Sequence, residues 1–505
     1  MEGLEAPELN QDIHGGSGLL NRALGEDHAT LVKVRVEECY FKVERTMLAK
    51  YSDYFKALFQ SGMVESHQEE LHLKGGVKAR GFLIALAVCR GELPSLSDPD
   101  ELIDAIECAA FLQVPMLAQH LCDIIDSDNC LLLYYTSNVF GLHSVSHCAA
   151  LFLRDAFEDL KDAAETQLPE NLLQYAQILS PATYIALGTH TPSMELLNDS
   201  FRVICYLDEN EQEWKHLTNL PTLCSTSMAG VAVLDNRLYI VGGVYGYKKD
   251  TVDRSFCYHP ETGLWTDLPG PQQPRYNFTL LGHEGRLYAI GGELQSRTIA
   301  TAESYDVNKE QWTFTQPAPR PVGSAACAVA RRRMFVCFWK PPDTTDIYEY
   351  LPAKDEWNLT TTMIRPQSYG HCMVAHRDNL YVMRNGPCDD FLRCLMDCYN
   401  ITTGQWTALA GHYINSKGAL FTSMVRGDSV FTVKHMLTLE YKITGEGWKP
   451  HRQMKGFSKS GSLWTCLLRL PKTGPVIPKT NTQGENGEMP LPDRSEEFME
   501  TVLQL

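Results

Sequence analysis

The sequence lacks the features of a membrane or secreted protein. In its N-terminal half the longest charge-free apolar run is Phe82–Cys89, far short of the ~20 residues that a membrane span needs. Residues 1–27 are acidic and have no apolar core, so we expect no signal peptide there. The 16 cysteines show no framework spacing, which favours reduced thiols. We therefore expect a cytoplasmic protein that does not bind membranes.

The sequence also lacks an excess of positive charge and the motifs of common enzymes. Its formal net charge of −17 argues against nucleic acid as a partner. It contains neither a Walker nucleotide loop nor a His-Glu-x-x-His zinc motif. Cys388, Cys394 and Cys398 fit no zinc spacing, and packing or solvent exposure accounts for His143 and His147 on a predicted helix. We expect no catalytic, metal or cofactor-binding site.

The chain does contain a repeat of about 50 residues. Arg237–Gly243 and Arg286–Gly292 share one pattern, a predicted strand that ends on two glycines. Six tryptophans recur at steps of 51, 47, 45, 49 and 42 residues: Trp214, Trp265, Trp312, Trp357, Trp406 and Trp448. Five tyrosines each precede their tryptophan by seven residues: Tyr258, Tyr305, Tyr350, Tyr399 and Tyr441. Tyr206 stands eight residues before Trp214.

Such a repeat is typical of a β-propeller, in which each unit forms one four-stranded blade. The aromatic pair is large enough to fill the wedge between blades, and the glycines permit positive φ near the crowded axis. The first tryptophan lacks an inner strand, which we expect Leu463–Leu470 to supply at the far end of the chain. One blade would then join both ends of the propeller. The pattern predicts an all-β propeller over 200–471, with six blades.

The N-terminal part has a different pattern. Val32, Val34 and Val36 alternate with charged residues, as in a half-buried strand. Helices are predicted at Arg45–Phe59, Lys78–Cys89, Glu101–Val114 and Pro115–Ile125, with a short strand at Leu71–Leu73. The sequence therefore predicts an α/β domain over 28–126 and a helical region over 127–195. Residues 1–27 are expected to be a flexible leader, and 472–505 a disordered tail.

Particular stretches resemble known domains. Tyr51–Phe59, Ser61–Glu65 and Ala109–Val114 together resemble the BTB domain. The helical region begins with Asn129-Cys-Leu131 and resembles a shortened BACK region. The double glycines with the spaced tyrosine and tryptophan are the marks of kelch repeats. The chain is thus identified as a member of the BTB-kelch family, a multidomain protein with an α/β BTB domain, a BACK-like helical segment and a kelch propeller.

The resemblance implies a function in protein assembly. In this family the BTB domain forms a homodimer and binds cullin-3, while the propeller binds the protein to be ubiquitylated. The resemblance places the cullin-binding motif, a hydrophobic residue followed two positions later by glutamate, at Met63 and Glu65. The helix that begins at Asn129 would flank the same cullin surface with Leu131 and Tyr135. The expected function is that of a non-catalytic adaptor subunit of a cullin-3 RING ubiquitin ligase.

Substrate contacts are expected in the loops that join blades and in those that follow inner strands. Arginine and tyrosine are frequent binding residues at protein interfaces. The candidates are Tyr245, Tyr247, Arg275, Tyr276, Arg365, Tyr369, Asn415 and Lys417. An alternative is a cytoskeletal scaffold whose propeller binds actin without a ligase role. The substrate itself is not identified by the sequence.

Overall fold

The computed structural model describes residues 31–189, 203–245, 250–340, 344–364, 372–385, 393–409, 413–414, 422–434, 437–443, 448–451 and 462–471. The predicted leader and the predicted tail lie outside these residues. The chain divides into two units. The first contains the residues up to Leu153 together with Asp162–Leu173, and the second contains Arg154–Lys161 and the residues from Gln174 onward. Among the described residues, none of the helices is long and apolar enough to cross a membrane.

The first unit begins with a small mixed sheet. Its strands are β1 (Leu31–Val36), β2 (Cys39–Glu44) and β3 (Glu70–Leu73). β1 lies in the middle, antiparallel to β2 and parallel to β3. Val32, Val34 and Val36 are buried on one face, so the strand predicted from their alternation is confirmed.

The helices of the first unit follow the predicted order. They are α1 (Arg45–Tyr51), α2 (Asp53–Gln60), a 3-10 helix (Val64–His67), α3 (Ala79–Cys89), α4 (Pro99–Leu112) and α5 (Pro115–Asp123). The single helix predicted over Arg45–Phe59 is wrong, because Ser52 is extended and separates α1 from α2. The Ser52 hydroxyl accepts a hydrogen bond from the Phe55 amide and donates one to the Leu112 carbonyl at 2.5 Å. A serine that caps one helix and binds another thus divides the segment.

Four more helices continue the chain: α6 (Cys130–Val139), α7 (His143–Asp155), α8 (Phe157–Gln167) and α9 (Glu170–Ile178). They confirm that the segment after the BTB-like part is helical. The region ends earlier than predicted, because a strand begins at Ala182. Within the first unit, the Tyr134 hydroxyl on α6 donates to the Leu172 carbonyl at 2.9 Å.

The second unit consists mainly of strands. In chain order they are β4 (Ala182–Thr189), β5 (Val203–Asp208), β6 (Glu213–Asn219), β7 (Gly230–Leu234), β8 (Arg237–Val241), β9 (Val244–Tyr245), β10 (Asp250–Thr251), β11 (Arg254–His259), β12 (Leu264–Pro269), β13 (Thr279–His283), β14 (Arg286–Ile290), β15 (Glu293–Leu294), β16 (Arg297–Thr298), β17 (Ala302–Asp306), β18 (Gln311–Thr315), β19 (Cys327–Ala330), β20 (Arg333–Lys340), β21 (Thr344–Leu351), β22 (Glu356–Ile364), β23 (Cys372–His376), β24 (Asn379–Asn385), β25 (Arg393–Asn400), β26 (Trp406–Ala408), β27 (Tyr413–Ile414), β28 (Thr422–Arg426), β29 (Ser429–Lys434), β30 (Leu437–Lys442), β31 (Trp448–His451) and β32 (Ser462–Arg469).

These strands form antiparallel sheets of the kind that a kelch propeller requires. The described residues contain the sheets β7-β8-β11-β12, β13-β14-β17-β18, β19-β20-β21-β22, β23-β24-β25-β26 (with β27 also on β25), β28-β29-β30-β31 and β32-β4-β5-β6. The first strands of these sheets contact one another in a closed cycle, from β7 through β13, β19, β23, β28 and β32 back to β7.

The last sheet combines both ends of the repeat region. β32 pairs with β4 along its whole length, from Ser462 opposite Thr189 to Arg469 opposite Ala182. The prediction that the C-terminal strand completes the first repeat is therefore confirmed. The predicted propeller start at residue 200 is wrong, because β4 is the second strand of this sheet. β4 carries neither a double glycine nor a spaced tryptophan, so the repeat pattern did not reveal it.

The spacing of seven residues between tyrosine and tryptophan has a simple structural cause. The two residues lie directly opposite each other on adjacent strands, as Tyr258 and Trp265 do, with ring centres 5.2 Å apart. The tryptophan also binds the neighbouring sheet, since Trp312 Nε1 donates to the Pro269 carbonyl at 2.8 Å. In the unit with spacing eight, Leu207 stands opposite Trp214 and Tyr206 is opposite Lys215, so the tyrosine is one position earlier than in the other units.

The double glycines lie where a side chain would collide with the adjoining backbone. Gly243 has φ +88°, and a Cβ there would lie 2.7 Å from the Ser227 carbonyl oxygen. At Gly291, with φ +64°, it would lie 2.4 Å from the Val322 carbonyl oxygen. Both the left-handed backbone and the close approach require glycine, as the sequence predicted.

One side chain links the two sheets where the cycle closes. Asn236, in the turn between β7 and β8, donates to the Arg469 carbonyl at 3.0 Å and accepts from the Arg469 amide at 2.7 Å. We predict that Asn236→Gly, which suits the φ of 56° at this position, lowers the free energy of unfolding by about 1–3 kcal/mol. Denaturant unfolding measures this effect.

The matched control is Asp235→Gly, since the neighbouring Asp235 is exposed and also has positive φ, at 48°. We expect this control to change stability by less than about 0.5 kcal/mol. Equal destabilisation by the two substitutions would show that the Asn236 hydrogen bonds do not stabilise the closure.

Candidate partner-binding surfaces

The predicted cullin-binding motif lies on a short exposed segment after α2. Met63 precedes the 3-10 helix, and its side chain is 64% exposed. Val64 and Glu65 are also exposed, whereas Ser66 behind them is buried. The segment thus presents two apolar side chains and one carboxylate to solvent.

Arg45 on α1 holds this segment in place. Its guanidinium donates to the Ser66 carbonyl at 2.6 Å and to the Gln68 carbonyl, and it lies 4.8 Å from the centre of the Phe59 ring. The Ser66 hydroxyl in turn donates to the Met63 carbonyl at 2.6 Å. These bonds order the backbone beneath Met63, so little conformational entropy remains to be lost on binding.

The structure separates the two α6 residues that the sequence predicted as contacts. Tyr135 is 46% exposed, but Leu131 is only 9% exposed and belongs to the core beside the buried Tyr134. The prediction of Leu131 as a contact is therefore wrong, because its side chain offers almost no surface. Val139 and Phe140 are exposed on the same helix end, and the sequence did not identify them as candidates. The i+4 spacing of Val139 from Tyr135 was the available signal.

Two of the predicted propeller residues are accessible in loops of the second unit. Tyr245 is part of the two-stranded β9-β10 hairpin that follows β8, and its side chain is exposed. Tyr276 is partly exposed and is bound to the next hairpin, since its hydroxyl accepts from the Ser296 amide at 3.0 Å. Its backbone also exchanges hydrogen bonds with Glu293. The other candidates Tyr247, Arg365, Tyr369, Asn415 and Lys417 lie outside the described residues.

Arg275 is not a surface residue, and its prediction as a substrate contact is wrong. Its side chain is completely buried and forms an ion pair with the equally buried Glu303, with Nη2 and Oε1 2.5 Å apart. Its Nη1 donates to the carbonyls of Gly291 and Thr301 at 2.9 and 2.7 Å. Burial lowers the pKa of Arg275, and Glu303 offsets part of this effect. Arg275 therefore links the loop before β13 to the sheet that contains β13, although arginine is a residue type typical of interfaces.

The Glu303 carboxylate is bound on its other side as well. It accepts from the backbone amides of Gln272 at 2.7 Å and Gln273 at 3.1 Å. The sequence did not reveal this pair, because Glu303 follows Arg275 by 28 residues and no local spacing connects them. The pair fixes the loop that carries Tyr276, so Arg275 positions the surface without being part of it.

Two family models match separate parts of the chain. The BTB/POZ domain matches residues 20–129. The KLHDC2/KLHL20/DRC7 kelch-repeats domain matches residues 177–384, a range that includes β4.

Several curated proteins are similar over most of their length. Human kelch repeat and BTB domain-containing protein 13 is 50% identical over 456 residues, which cover 90% of this chain and 98% of that protein. Its mouse counterpart is 50% identical over 447 residues, 88% of this chain and 97% of that protein. Human kelch-like protein 42 is 26% identical over 507 residues, 87% of this chain and 98% of that protein.

The buried pair leads to a prediction about stability. We expect Arg275→Met to lower the free energy of unfolding by about 3–5 kcal/mol, because it leaves the Glu303 charge buried without its partner. The measurement is denaturant unfolding of the full chain. The double variant Arg275→Met/Glu303→Gln should recover part of the loss, since it removes both charges.

An exposed arginine–carboxylate ion pair serves as the control for the buried Arg275–Glu303 pair. Arg254 and Asp267 are about half exposed and 2.8 Å apart. Arg254→Met should cost no more than about 1 kcal/mol. A loss at Arg275 as small as that at Arg254 would contradict a structural role for the buried pair.

Proposed function

The chain belongs to the BTB-kelch family, and from this membership we propose that it is a substrate-recognition adaptor of a cullin-3 RING ubiquitin ligase. The family predicted from the sequence is confirmed by the relatives and by the two matching domains. Members of this family are commonly non-enzymatic adaptors. In the proposal the BTB domain binds cullin-3 and forms a homodimer in the cytoplasm, and the kelch repeats bind the protein to be ubiquitylated.

The observation that carries the proposal is the exposed Met63-Val64-Glu65 segment. An unbranched methionine adapts its shape to an apolar partner surface, and the neighbouring carboxylate can bind a helix N-terminus or a cation. Because Arg45 binds the backbone below the segment, these side chains are presented in a fixed arrangement. An ordered, exposed apolar pair on a monomer is favourable for binding and contributes little to the core.

Tyr135 supports a second part of the same interface. Its ring has an apolar face and a hydroxyl, a combination enriched at protein interfaces. Val139 and Phe140 extend the apolar surface at the C-terminal end of α6. Leu131 contributes by packing in the core of the first unit, so its role in the proposal is to position α6.

For the substrate, Tyr245 and Tyr276 are the described residues that we propose as contacts. Tyr245 lies in the β9-β10 hairpin, and Tyr276, in the loop before β13, exchanges backbone hydrogen bonds with Glu293, so their positions are defined before binding. Tyr247, Arg365, Tyr369, Asn415 and Lys417 remain proposed contacts from the sequence. In a BTB dimer two sets of kelch loops would act on one substrate, which raises the effective affinity.

We predict that Met63→Ala and Glu65→Lys each weaken cullin-3 binding about tenfold or more. The alanine removes apolar contact area, and the lysine reverses the charge. The measurement is biolayer interferometry of the full chain against the immobilised N-terminal domain of cullin-3. Neither substitution should change the thermal unfolding midpoint, since both side chains are exposed.

Two exposed positions elsewhere in the first unit provide matched controls. Leu83→Ala removes a side chain that is 55% exposed on α3, and Glu92→Lys reverses an exposed charge. Both should leave cullin-3 affinity unchanged. The proposal fails if the wild-type chain does not bind cullin-3 or if the controls reduce affinity as much as the motif variants. If the chain does not bind cullin-3 but co-sediments with actin filaments, the scaffold alternative is supported.

A further inference from the structure

A cavity of about 210 Å³ opens within the second unit. It is bounded by the β28-β29-β30-β31 sheet, the β32-β4-β5-β6 sheet and the helical segment Arg154–Lys161. Its apolar wall consists of Ala156, Tyr184, Leu207, Trp214 and Phe431. The Tyr184 and Phe431 rings pack edge to face with centres 5.2 Å apart, so much of this wall is aromatic. We call it the Tyr184 cavity.

The polar lining of the Tyr184 cavity is strongly acidic. It contains the carboxylates Asp155, Glu158, Asp159, Glu209, Asp428 and Glu440 and the guanidinium of Arg426. Two of these carboxylates form ion pairs with cations of the same chain: Arg469 lies 2.6 Å from Asp155, and Lys442 lies 2.6 Å from Asp159. Glu158 is exposed at the rim, and no ion pair among the described residues involves it. Negative charge therefore remains in excess at the cavity.

Arg426 shows which cation these walls accommodate. Its guanidinium lies 5.1 Å from the centre of the Tyr184 ring, and both its terminal nitrogens approach the Glu209 carboxylate, Nη2 at 3.2 Å. An aromatic face and a carboxylate thus enclose a guanidinium from two sides. Planar guanidinium groups are suited to this combination of stacking and bidentate pairing, more so than the ammonium of lysine.

We propose that the Tyr184 cavity is a second partner-binding site that receives an arginine side chain from a basic segment of a partner protein. The cavity is smaller than the ~300–1,000 Å³ of sites for drug-sized ligands, and its volume suits one side chain. The apolar wall accepts the aliphatic stem and the guanidinium plane. Glu158 and Glu440, which lie on different elements, supply the opposite charge.

This site differs from the proposed substrate surface. The cavity is lined by the turn between β28 and β29 and by the turn between β5 and β6. These turns follow the first and third strands of their sheets, whereas Tyr245 follows β8, the second strand of its sheet. In an antiparallel sheet such connections lie at opposite ends of the strands. The cavity and the Tyr245 loop are therefore at opposite ends, and one protein could occupy each.

The test is binding of labelled peptides to the full chain by fluorescence anisotropy at low ionic strength. The probe is a peptide with two arginines in a glycine-serine background, and its counterparts carry lysines or glutamates instead. We expect the arginine peptide to bind best and the glutamate peptide not to bind. Glu158→Gln/Glu440→Gln should weaken binding of the arginine peptide about tenfold, because it removes two carboxylates at nearly constant shape.

The amide at position 440 can still accept the Ser429 hydroxyl, which lies 2.8 Å from the glutamate. Glu158→Lys provides an independent variant at an exposed position, and we expect an even larger loss from it. The matched control is Glu261→Gln/Glu310→Gln, which removes two exposed carboxylates from the corresponding turns of other sheets. The control should leave peptide affinity unchanged.

Three results would overturn the site: no binding of the arginine peptide, equal binding of the glutamate peptide, or equal losses in the cavity and control variants. Equal affinity for the lysine peptide would overturn the assignment to arginine. Cullin-3 affinity is measured on the same variants and should stay constant. A failure at the cavity is therefore separate from a failure of the adaptor proposal.

Discussion

The second unit depends on the pairing of β32 with β4, because this pairing converts a row of sheets into a cycle. A tryptophan of one sheet contacts its neighbour in the row, as when Trp312 donates to the Pro269 carbonyl. A row with two free ends would expose one such surface and leave strand edges open. The pairing of Ser462–Arg469 with Ala182–Thr189 removes this defect. Polar contacts also join neighbouring sheets elsewhere in the cycle, since Arg331 contacts Asp378 and His376 contacts Asp428.

The regular residues of the repeat support the fold, and the binding candidates occur where the repeat is irregular. Tyr258 and Trp265 occupy the same relative places as their counterparts in other sheets, with Tyr258 buried and Trp265 partly buried. Tyr245 lies in a hairpin and Tyr276 in a loop that joins two sheets, where side chains are free to vary without loss of packing. Arg275 shows the limit of this reasoning, since a loop residue may be as deeply buried as a strand residue.

Local patterns predicted the elements that follow a local rule. The alternating valines of β1 and the seven-residue spacing of Tyr258 and Trp265 are direct consequences of strand geometry. The helix break at Ser52 escaped prediction in part because the serine that caps α2 also binds Leu112, 60 residues away. The Arg275–Glu303 pair and the Tyr184 cavity escaped for the same reason. Asp155 and Arg469 are 314 residues apart and meet only in the folded chain.

The use of charge in the second unit explains why a basic partner is a reasonable expectation. The arginines at 275, 331, 384 and 469 each pair with a carboxylate of the same chain, so their positive charge is directed inward. At the Tyr184 cavity six carboxylates outnumber the nearby cations Arg426, Arg469 and Lys442, so the local potential there is negative. Such a potential attracts basic segments over about one Debye length and weakens as salt is added. It increases the rate of encounter with a basic segment, but it provides specificity only where a shaped wall accompanies the charge. The Tyr184 cavity supplies such a wall, because its Tyr184 ring and Glu209 carboxylate already enclose the guanidinium of Arg426 from two sides.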